Sequence, residues 1–129
     1  MNKQLTPFTE QVIKIINSIP KGKVATYTQV SKLAGKDNRG QAVAFVIHSQ
    51  RNTDLPWHRV INKDGKIVFY STVKSQSDAL ITEGVEVNDF KVDLKKYQVT
   101  NEELIHELSK EQLIWMRSDI KKIGICIIN

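Results

Sequence analysis

The sequence predicts a mainly α-helical domain with a helix-turn-helix, a small β-hairpin or wing, and a helical C-terminal tail. Three observations support this fold class: an amphipathic first helix, two short helices separated by a glycine-containing turn, and a Lys-Asp-Gly turn between two extended segments. At 129 residues, the chain is long enough for one domain of ordinary size and too short for two sizeable ones. We therefore expect one domain over residues 1–99 and a helical extension over 100–129.

The first helix is predicted over residues 7–18. Thr6 is a suitable N-cap, and Pro7 favours the first helical position because its fixed backbone angle matches the helix. Apolar side chains then recur at the spacing of one helix face, namely Phe8, Val12, Ile15, Ile16 and Ile19.

Two shorter helices follow and form the helix-turn-helix pattern. Thr28 is predicted to cap the second helix, and Gly35 is predicted to end it in the left-handed conformation. Asp37 or Asn38 is predicted to cap the third helix, over about residues 39–49. Many unrelated helical hairpins share this pattern, so alone it does not establish DNA binding.

The rest of the chain shows weaker signals. The turn at Lys63-Asp64-Gly65 predicts a hairpin between residues 59–62 and 66–69. The further predicted elements are a helix over 72–82 closed by Gly84, short strands over 85–87 and 91–94, and one or two helices over about 101–120 that begin at the capping box Thr100-Asn101-Glu102-Glu103.

Charge is distributed unevenly along the chain, whose formal net charge is +5. Residues 1–66 carry 11 basic and four acidic side chains, a net charge of +7, whereas residues 67–129 have a net charge of −2. A basic half indicates a polyanionic partner, and the alternative interpretation is a solvated lysine-rich surface.

Several classes of protein do not fit the sequence. No window approaches the roughly 18 consecutive apolar residues of a membrane-spanning helix, and residues 1–10 lack the apolar stretch of a secretory signal. Cys126, the single cysteine, cannot form an internal disulfide or, alone, a zinc site. We therefore expect a cytoplasmic protein, associated with the nucleoid in a bacterium, with no membrane partner, metal or cofactor.

The segment PWHRV at residues 56–60 resembles the PCHRV active-site segment of the O6-alkylguanine-DNA alkyltransferases. Tryptophan stands at the position of the reactive cysteine, and this substitution marks the alkyltransferase-like proteins. The resemblance covers about residues 7–97, including IPKGKVATY at 19–27 and VSKLAG at 30–35. It implies a winged helix-turn-helix that enters the minor groove and rotates a damaged guanine into a pocket, at a cost of a few kcal/mol.

The resemblance also implies a lesion pocket. Trp57 would form a wall of this pocket, although a half-buried tryptophan is often an ordinary core residue. His58 and Glu83 match the pair that, in true transferases, helps deprotonate the cysteine; here they would form a hydrogen-bonded pair that orders the pocket. Tyr70 and Ser71 match a lesion loop that approaches the O6 atom, the alternative being an edge-strand tyrosine and a helix-capping serine.

Five residues are implied as DNA contacts. Tyr27 matches a tyrosine at the phosphate beside the flipped nucleotide, and its alternative role is packing at a helix entry. Gln41 and Ala42 lie on the recognition helix, with Gln41 at the position of an intercalating arginine. Arg39 lies about 200° round the helix from Gln41, so it would meet phosphates near the helix start. Arg59 would be either structural or phosphate-facing.

These observations favour a non-enzymatic sensor that binds O6-alkylguanine in duplex DNA and marks it for nucleotide excision repair proteins. An indole has no nucleophilic atom suited to accept an alkyl group, so transfer at Trp57 is chemically excluded. Two alternatives stay open at this point. One is a winged-helix DNA-binding module without lesion specificity, and the other is an active alkyltransferase that would have to use Cys126.

Overall fold

The computed structural model describes residues 7–50, 53–67 and 73–110, and within these ranges the chain is mainly helical. A helix, α6, is described over residues 101–110 and begins within the predicted capping box, in which the Glu103 amide donates to Thr100 Oγ1 over 3.1 Å. None of the described helices is long and apolar enough to cross a membrane. The other elements are α1 (Pro7–Asn17), β1 (Ala25–Thr26), α2 (Tyr27–Leu33), α3 (Gly40–Ser49), a 3₁₀ turn (Trp57–Arg59), β2 (Val60–Ile61), α4 (Val73–Thr82) and α5 (Leu94–Tyr97).

Helix α1 packs on the main core through the apolar face that its sequence predicts. Val12, Ile15 and Ile16 are fully buried, and the core that they enter also includes residues of α2 and α3. The predicted first helix and both helices of the helix-turn-helix are thus confirmed, with ends within one or two residues of the predicted ones.

The N-cap of α2 differs from the prediction. Thr26, not Thr28, caps the helix: its hydroxyl accepts a hydrogen bond from the Gln29 amide over 3.1 Å, and the Gln29 side chain accepts from the Thr26 amide over 3.3 Å. Both threonines fit the composition rule for caps, and a suitable Glu or Gln three positions later is present only for Thr26. This reciprocal pair places Tyr27 in the first turn of α2.

The turn between α2 and α3 is held by backbone and serine contacts. Gly35 adopts φ +95° and ends α2 as predicted, with its amide donating to Lys32 O over 3.0 Å. The fully buried Ser31 hydroxyl donates to Lys36 O and accepts from the Arg39 amide. The predicted cap of α3 at Asp37 or Asn38 is wrong, because Arg39 is the N-cap residue and its own side chain makes no capping hydrogen bond.

The predicted hairpin is confirmed at its turn, where the Gly65 amide donates to Asn62 O over 2.9 Å and the Asn62 amide donates to Lys66 O over 3.2 Å. Before the turn, Val60 and Ile61 form strand β2, which pairs in parallel with β1, an arrangement that the sequence did not predict. Residues 68–69 of the predicted second strand lie outside the described residues. Lys66 instead forms an antiparallel bridge with Lys91, so the turn docks on a later part of the chain.

A second, smaller core lies under this region. It contains Val24, Ile61 and Leu80, all at most 1% exposed, together with the buried Ile67, Val85 and Val92. Helix α4 confirms the prediction over 72–82, and Gly84 with φ +91° follows it. The strands predicted over 85–87 and 91–94 are wrong: only isolated bridges occur at Asn88 and Lys91, and residues 94–97 are helical.

The segment after α5 is joined to the domain by hydrogen bonds and by packing. The Val99 amide donates to Val24 O over 2.8 Å, and Gln29 Nε2 donates to Val99 O over 2.8 Å. Leu104 on α6 is fully buried in the main core. The first residues of the predicted extension over 100–129 therefore pack on the helix-turn-helix, and the role of the remainder stays a prediction because residues 111–129 lie outside the described residues.

Candidate nucleic-acid interface

The two-residue strand pair connects the helix-turn-helix to the segment that carries Trp57. Ala25 lies opposite Val60, and Thr26 lies opposite Ile61. Tyr27 follows the first strand directly, and the 3₁₀ turn Trp57–Arg59 precedes the second. Parallel pairing at this register therefore brings the start of α2 beside a segment more than 30 residues away in sequence.

Glu83 is the centre of a polar network just beyond the end of α4. One carboxylate oxygen lies 2.8 Å from His58 Nε2, and Arg59 donates to the same oxygen from its terminal nitrogen over 2.7 Å. The other oxygen accepts from Arg59 Nε over 3.0 Å and from the Gly22 amide over 3.3 Å. The expected hydrogen bond between His58 and Glu83 is present, and it belongs to a larger cluster.

This network changes the ionisation of Glu83. Burial alone would raise the pKa of the carboxyl, but hydrogen bonds from Arg59, His58 and the Gly22 amide outweigh it and lower the pKa from 4.5 to about 2. The carboxylate is therefore charged throughout the physiological range. Its charge balances Arg59, whose side chain is only 16% exposed.

The side chain of Arg59 is hydrogen-bonded to acceptors inside the protein. Besides its two-pronged contact with Glu83, it donates from its other terminal nitrogen to Ile19 O over 2.8 Å. All three guanidinium nitrogens thus have acceptors within the protein, which favours the structural role considered for Arg59. A contact of Arg59 with phosphate stays a prediction.

Gln76 is a supporting residue that the sequence analysis missed. Its side chain is 1% exposed and donates from Nε2 to His58 O over 3.1 Å and to Val60 O over 3.0 Å. It therefore fixes the backbone on both sides of Arg59 from helix α4. Nothing in the sequence around Gln76 distinguishes it from a surface residue of a helix. Its burial and its hydrogen bonds to the backbone show the supporting role.

Trp57 packs partly on the main core and partly towards His58. It is half-buried, and its ring meets the His58 ring edge to face at a centroid distance of 6.5 Å and an interplanar angle of 83°. Core packing and a pocket wall are both compatible with this position. A role in lesion recognition stays a prediction.

Tyr27 is the first residue of α2 and lies beside the start of α3. It packs against the main core, and burial raises the pKa of its hydroxyl, which stays protonated at neutral pH. Gly40, the first residue of α3, lies so close that a Cβ atom added there would be 3.3 Å from Tyr27 Cβ. Sequence analysis did not single out Gly40; a glycine at a helix start is the signal that could have found it.

The predicted contact residues on the helix-turn-helix are mostly exposed. Arg39 and Gln41 are exposed, Ala42 is half-buried, and Val43 and Val46 turn to the core. Within the described part of the chain, the side chain of Arg39 makes no ion pair. The face of α3 away from the core is therefore open to a partner.

Four residues named in the sequence analysis cannot be placed. Tyr70 and Ser71 of the predicted lesion loop, Cys126, and the predicted helix cap Thr6 lie outside the described residues. Where the structure describes the chain, no group of three or more His, Cys, Asp or Glu side chains is arranged to hold a metal ion.

Comparison with known proteins gives a consistent result. Residues 7–85 match the family model described as "6-O-methylguanine DNA methyltransferase, DNA binding domain". A DNA base-flipping protein of Vibrio parahaemolyticus is 37% identical over 94 residues, which are 70% of this chain and 94% of that protein. Alkyltransferase-like protein 1 of Schizosaccharomyces pombe is 31% identical over 103 residues, covering 73% of this chain and 95% of the relative.

A solved structure agrees with these sequence matches. The crystal structure of S. pombe Atl1 in complex with damaged DNA containing O6-carboxymethylguanine superposes with a TM-score of 0.69 at 29% identity. The match covers 76% of this chain and 99% of the Atl1 chain. The predicted fold class is thereby confirmed.

Proposed function

Because the chain belongs to the family of the 6-O-methylguanine DNA methyltransferase DNA-binding domain and resembles its alkyltransferase-like members, we propose that it is a non-enzymatic sensor of O6-alkylguanine in DNA. In this proposal, α3 enters the minor groove and the damaged guanine rotates out of the base stack into a pocket beside Trp57. Alkylation weakens base pairing, so the flipping step costs less at the lesion than at an undamaged guanine.

The arrangement around Trp57 is the observation that carries the proposal. His58 and Glu83 remain hydrogen-bonded at 2.8 Å, yet the residue beside them is an indole with no nucleophilic atom suited to accept an alkyl group. The surrounding supports, Arg59 and Gln76, are fully engaged. An ordered polar network beside a side chain without a nucleophile supports binding and not transfer.

The surface charge supports the DNA partner. Residues 1–66, with a net charge of +7, include α2, α3 and the 3₁₀ turn. The exposed cations Lys32, Lys36 and Arg39 lie at the end of α2 and before α3, where phosphates would flank an inserted helix. The proposal also includes recruitment of nucleotide excision repair proteins to the bent duplex, which rests on the resemblance alone.

Paired titrations test the sensor. We expect wild-type protein to bind a duplex with one O6-methylguanine at least severalfold more tightly than the matched guanine duplex, and to lose affinity steeply with salt as counterions are released. Trp57→Ala should remove the preference while keeping the affinity for unmodified DNA. Gln41→Arg is the companion variant, expected to tighten binding to both duplexes by adding a charge. Equal affinity of the wild type for the two duplexes at matched salt would refute lesion recognition.

The enzymatic alternative has a direct test. An active transferase needs a thiol, and Cys126 is the single candidate. After incubation with duplex DNA carrying O6-benzylguanine, we expect the intact protein mass to be unchanged. A stoichiometric gain of one benzyl group would show transfer, and Cys126→Ser, which removes the thiol, would identify its acceptor.

The second candidate function is a DNA-binding module without lesion preference. Gln41 is the observation that favours it, because glutamine is uncharged and shorter than the arginine that the resemblance implies at this position. In that case Trp57→Ala would leave binding to both duplexes unchanged, which separates the two functions in the same titration.

A further inference from the structure

An unpaired aromatic side chain lies on the solvent-facing side of α3. Phe45 is 73% exposed, the highest value among the four exposed large hydrophobic residues in the described part of the chain. The other three, Ile81, Phe90 and Ile105, lie on or after α4 in the sequence. Exposure of a phenylalanine at this level leaves its apolar surface in water unless a partner covers it.

Helix geometry places Phe45 at the centre of the outer face. At 100° per residue, Gln41, Phe45 and His48 fall within about 60° of one another around the helix. They lie on the side opposite the buried residues of α3, which are Val43, Val46 and Ile47. All three side chains of this outer ridge are exposed. The ridge is thus the part of α3 that meets whatever the helix docks against.

The residues beside the ridge leave room for close approach. Ala42 and Ala44 flank it, and their short side chains do not project beyond Phe45. Arg39, at the helix start, is exposed and makes no ion pair among the described residues, although it lies about 200° round the helix from Gln41. A single aromatic on a narrow ridge, with a cation at the start of the same helix, fits a groove lined by phosphates better than a broad apolar protein surface.

We propose that Phe45 is an apolar wedge that enters the minor groove and partly unstacks a base step, so that the duplex bends around α3. Minor-groove proteins commonly insert phenylalanine or other apolar side chains in this way. Gln41 and Phe45 are separated by about 6 Å along the helix axis, or roughly two base-pair rises, so they meet different steps. This inference rests on the proposed function, since it takes α3 as the DNA-entering helix.

The test compares Phe45→Ala with Phe90→Ala in the full chain. Phe90 is the matched control because it is 55% exposed and lies on a turn after α4. The first measurement is the affinity for the O6-methylguanine duplex. The second is the bend of the bound duplex, which energy transfer between dyes at its two ends reports. Phe45→Ala should weaken binding about fivefold or more and reduce the bend, whereas Phe90→Ala should change neither.

Three further measurements separate a wedge from other roles. Phe45→Leu should retain most of the affinity and bend, because leucine is also an effective wedge. The slope of log affinity against log salt should be the same for wild type and Phe45→Ala, since no phosphate contact is lost. The melting temperature of Phe45→Ala should equal that of wild type, because an exposed side chain contributes little packing.

The outcomes distinguish the wedge from the sensor itself. If wild type prefers the lesion duplex but Phe45→Ala binds and bends it equally well, the wedge is overturned and the sensor stands. If wild type binds both duplexes equally, the sensor is overturned; a loss of affinity and bend in Phe45→Ala would still support a wedge in plain DNA binding. A wild-type complex with an unbent duplex overturns the wedge.

Discussion

Replacement of Glu83 by glutamine is expected to destabilise the fold by about 3 kcal/mol at neutral pH. The carboxylate, whose side chain is 9% exposed, accepts hydrogen bonds from His58, Arg59 and the Gly22 amide. Glutamine keeps one acceptor oxygen but turns donor hydrogens towards Arg59, whose charge then lacks a counter-ion in a poorly solvated position. Urea unfolding of wild type and variant measures the difference.

The same substitution should alter the pH dependence of stability. The pKa of Glu83 is lowered from 4.5 to about 2 in the folded protein, so its contribution is fully present above pH 4.5 and is lost as the pH falls towards 2. Wild type should therefore lose stability through this acidic range, and Glu83→Gln should lack that part of the loss. Melting temperatures measured from pH 7 down to pH 2 test the sign.

Glu86→Gln is the matched control for both measurements. Glu86 also pairs with a cation, Lys96, over 3.1 Å, but the two side chains are 66% and 57% exposed. An exposed pair of this kind contributes about 0–1 kcal/mol, so the control should be nearly neutral. Equal destabilisation by the two substitutions would show that the buried network is not what makes Glu83 important.

Substitution of Gly65 by alanine is expected to cost about 2–5 kcal/mol, because it combines strain with a clash. Gly65 adopts φ +80°, where a side chain is disfavoured, and an added Cβ would lie 2.3 Å from Val92 O. Because the clashing atom, Val92 O, belongs to the backbone, the segments that carry Gly65 and Val92 would have to move apart. Denaturant unfolding measures the loss of stability.

Gly35→Ala provides the control for Gly65→Ala. Gly35 has a similar angle, φ +95°, but an added Cβ would meet nothing within 4 Å. It should therefore show only the conformational cost, about 1–2 kcal/mol. In Gly65→Ala, hydrogen exchange at the Val92 amide, which donates to Gly65 O over 2.8 Å, should also accelerate. Equal losses for the two alanine variants, with unchanged exchange at Val92, would contradict the clash.

The helices could be predicted from the sequence because their signals are local. The apolar spacing that ends at Ile19, the glycine at position 35 and the capping box at Thr100 each depend on residues within a few positions of one another. The caps of α2 and α3 were wrong for a related reason. Thr26 and Thr28 both satisfy the composition rule for caps, and the capping box of Thr26 with Gln29 decides between them. Asp37 and Asn38 satisfy the same rule before α3, but the N-cap residue is Arg39, whose amide donates to Ser31.

The strands and the polar network could not be predicted in the same way. Two-residue strands carry almost no periodic signal, and the partner of Val60 is Ala25, far back in the chain. The resemblance named His58, Arg59 and Glu83, but not that one carboxylate holds both of the others and the Gly22 amide. Such contacts depend on the packing of α4 against the 3₁₀ turn.

The order of the helices, the basic first half and the family resemblance follow from composition, periodicity and motif spacing, which are properties of the chain alone. The inward turn of Arg59 to Glu83, the hydrogen bonds from Gln76 to the backbone beside it and the exposure of Phe45 are instead consequences of packing. These features depend on which residues far apart in the sequence come into contact when the helices and strands pack, and the type of a single residue does not specify its partner.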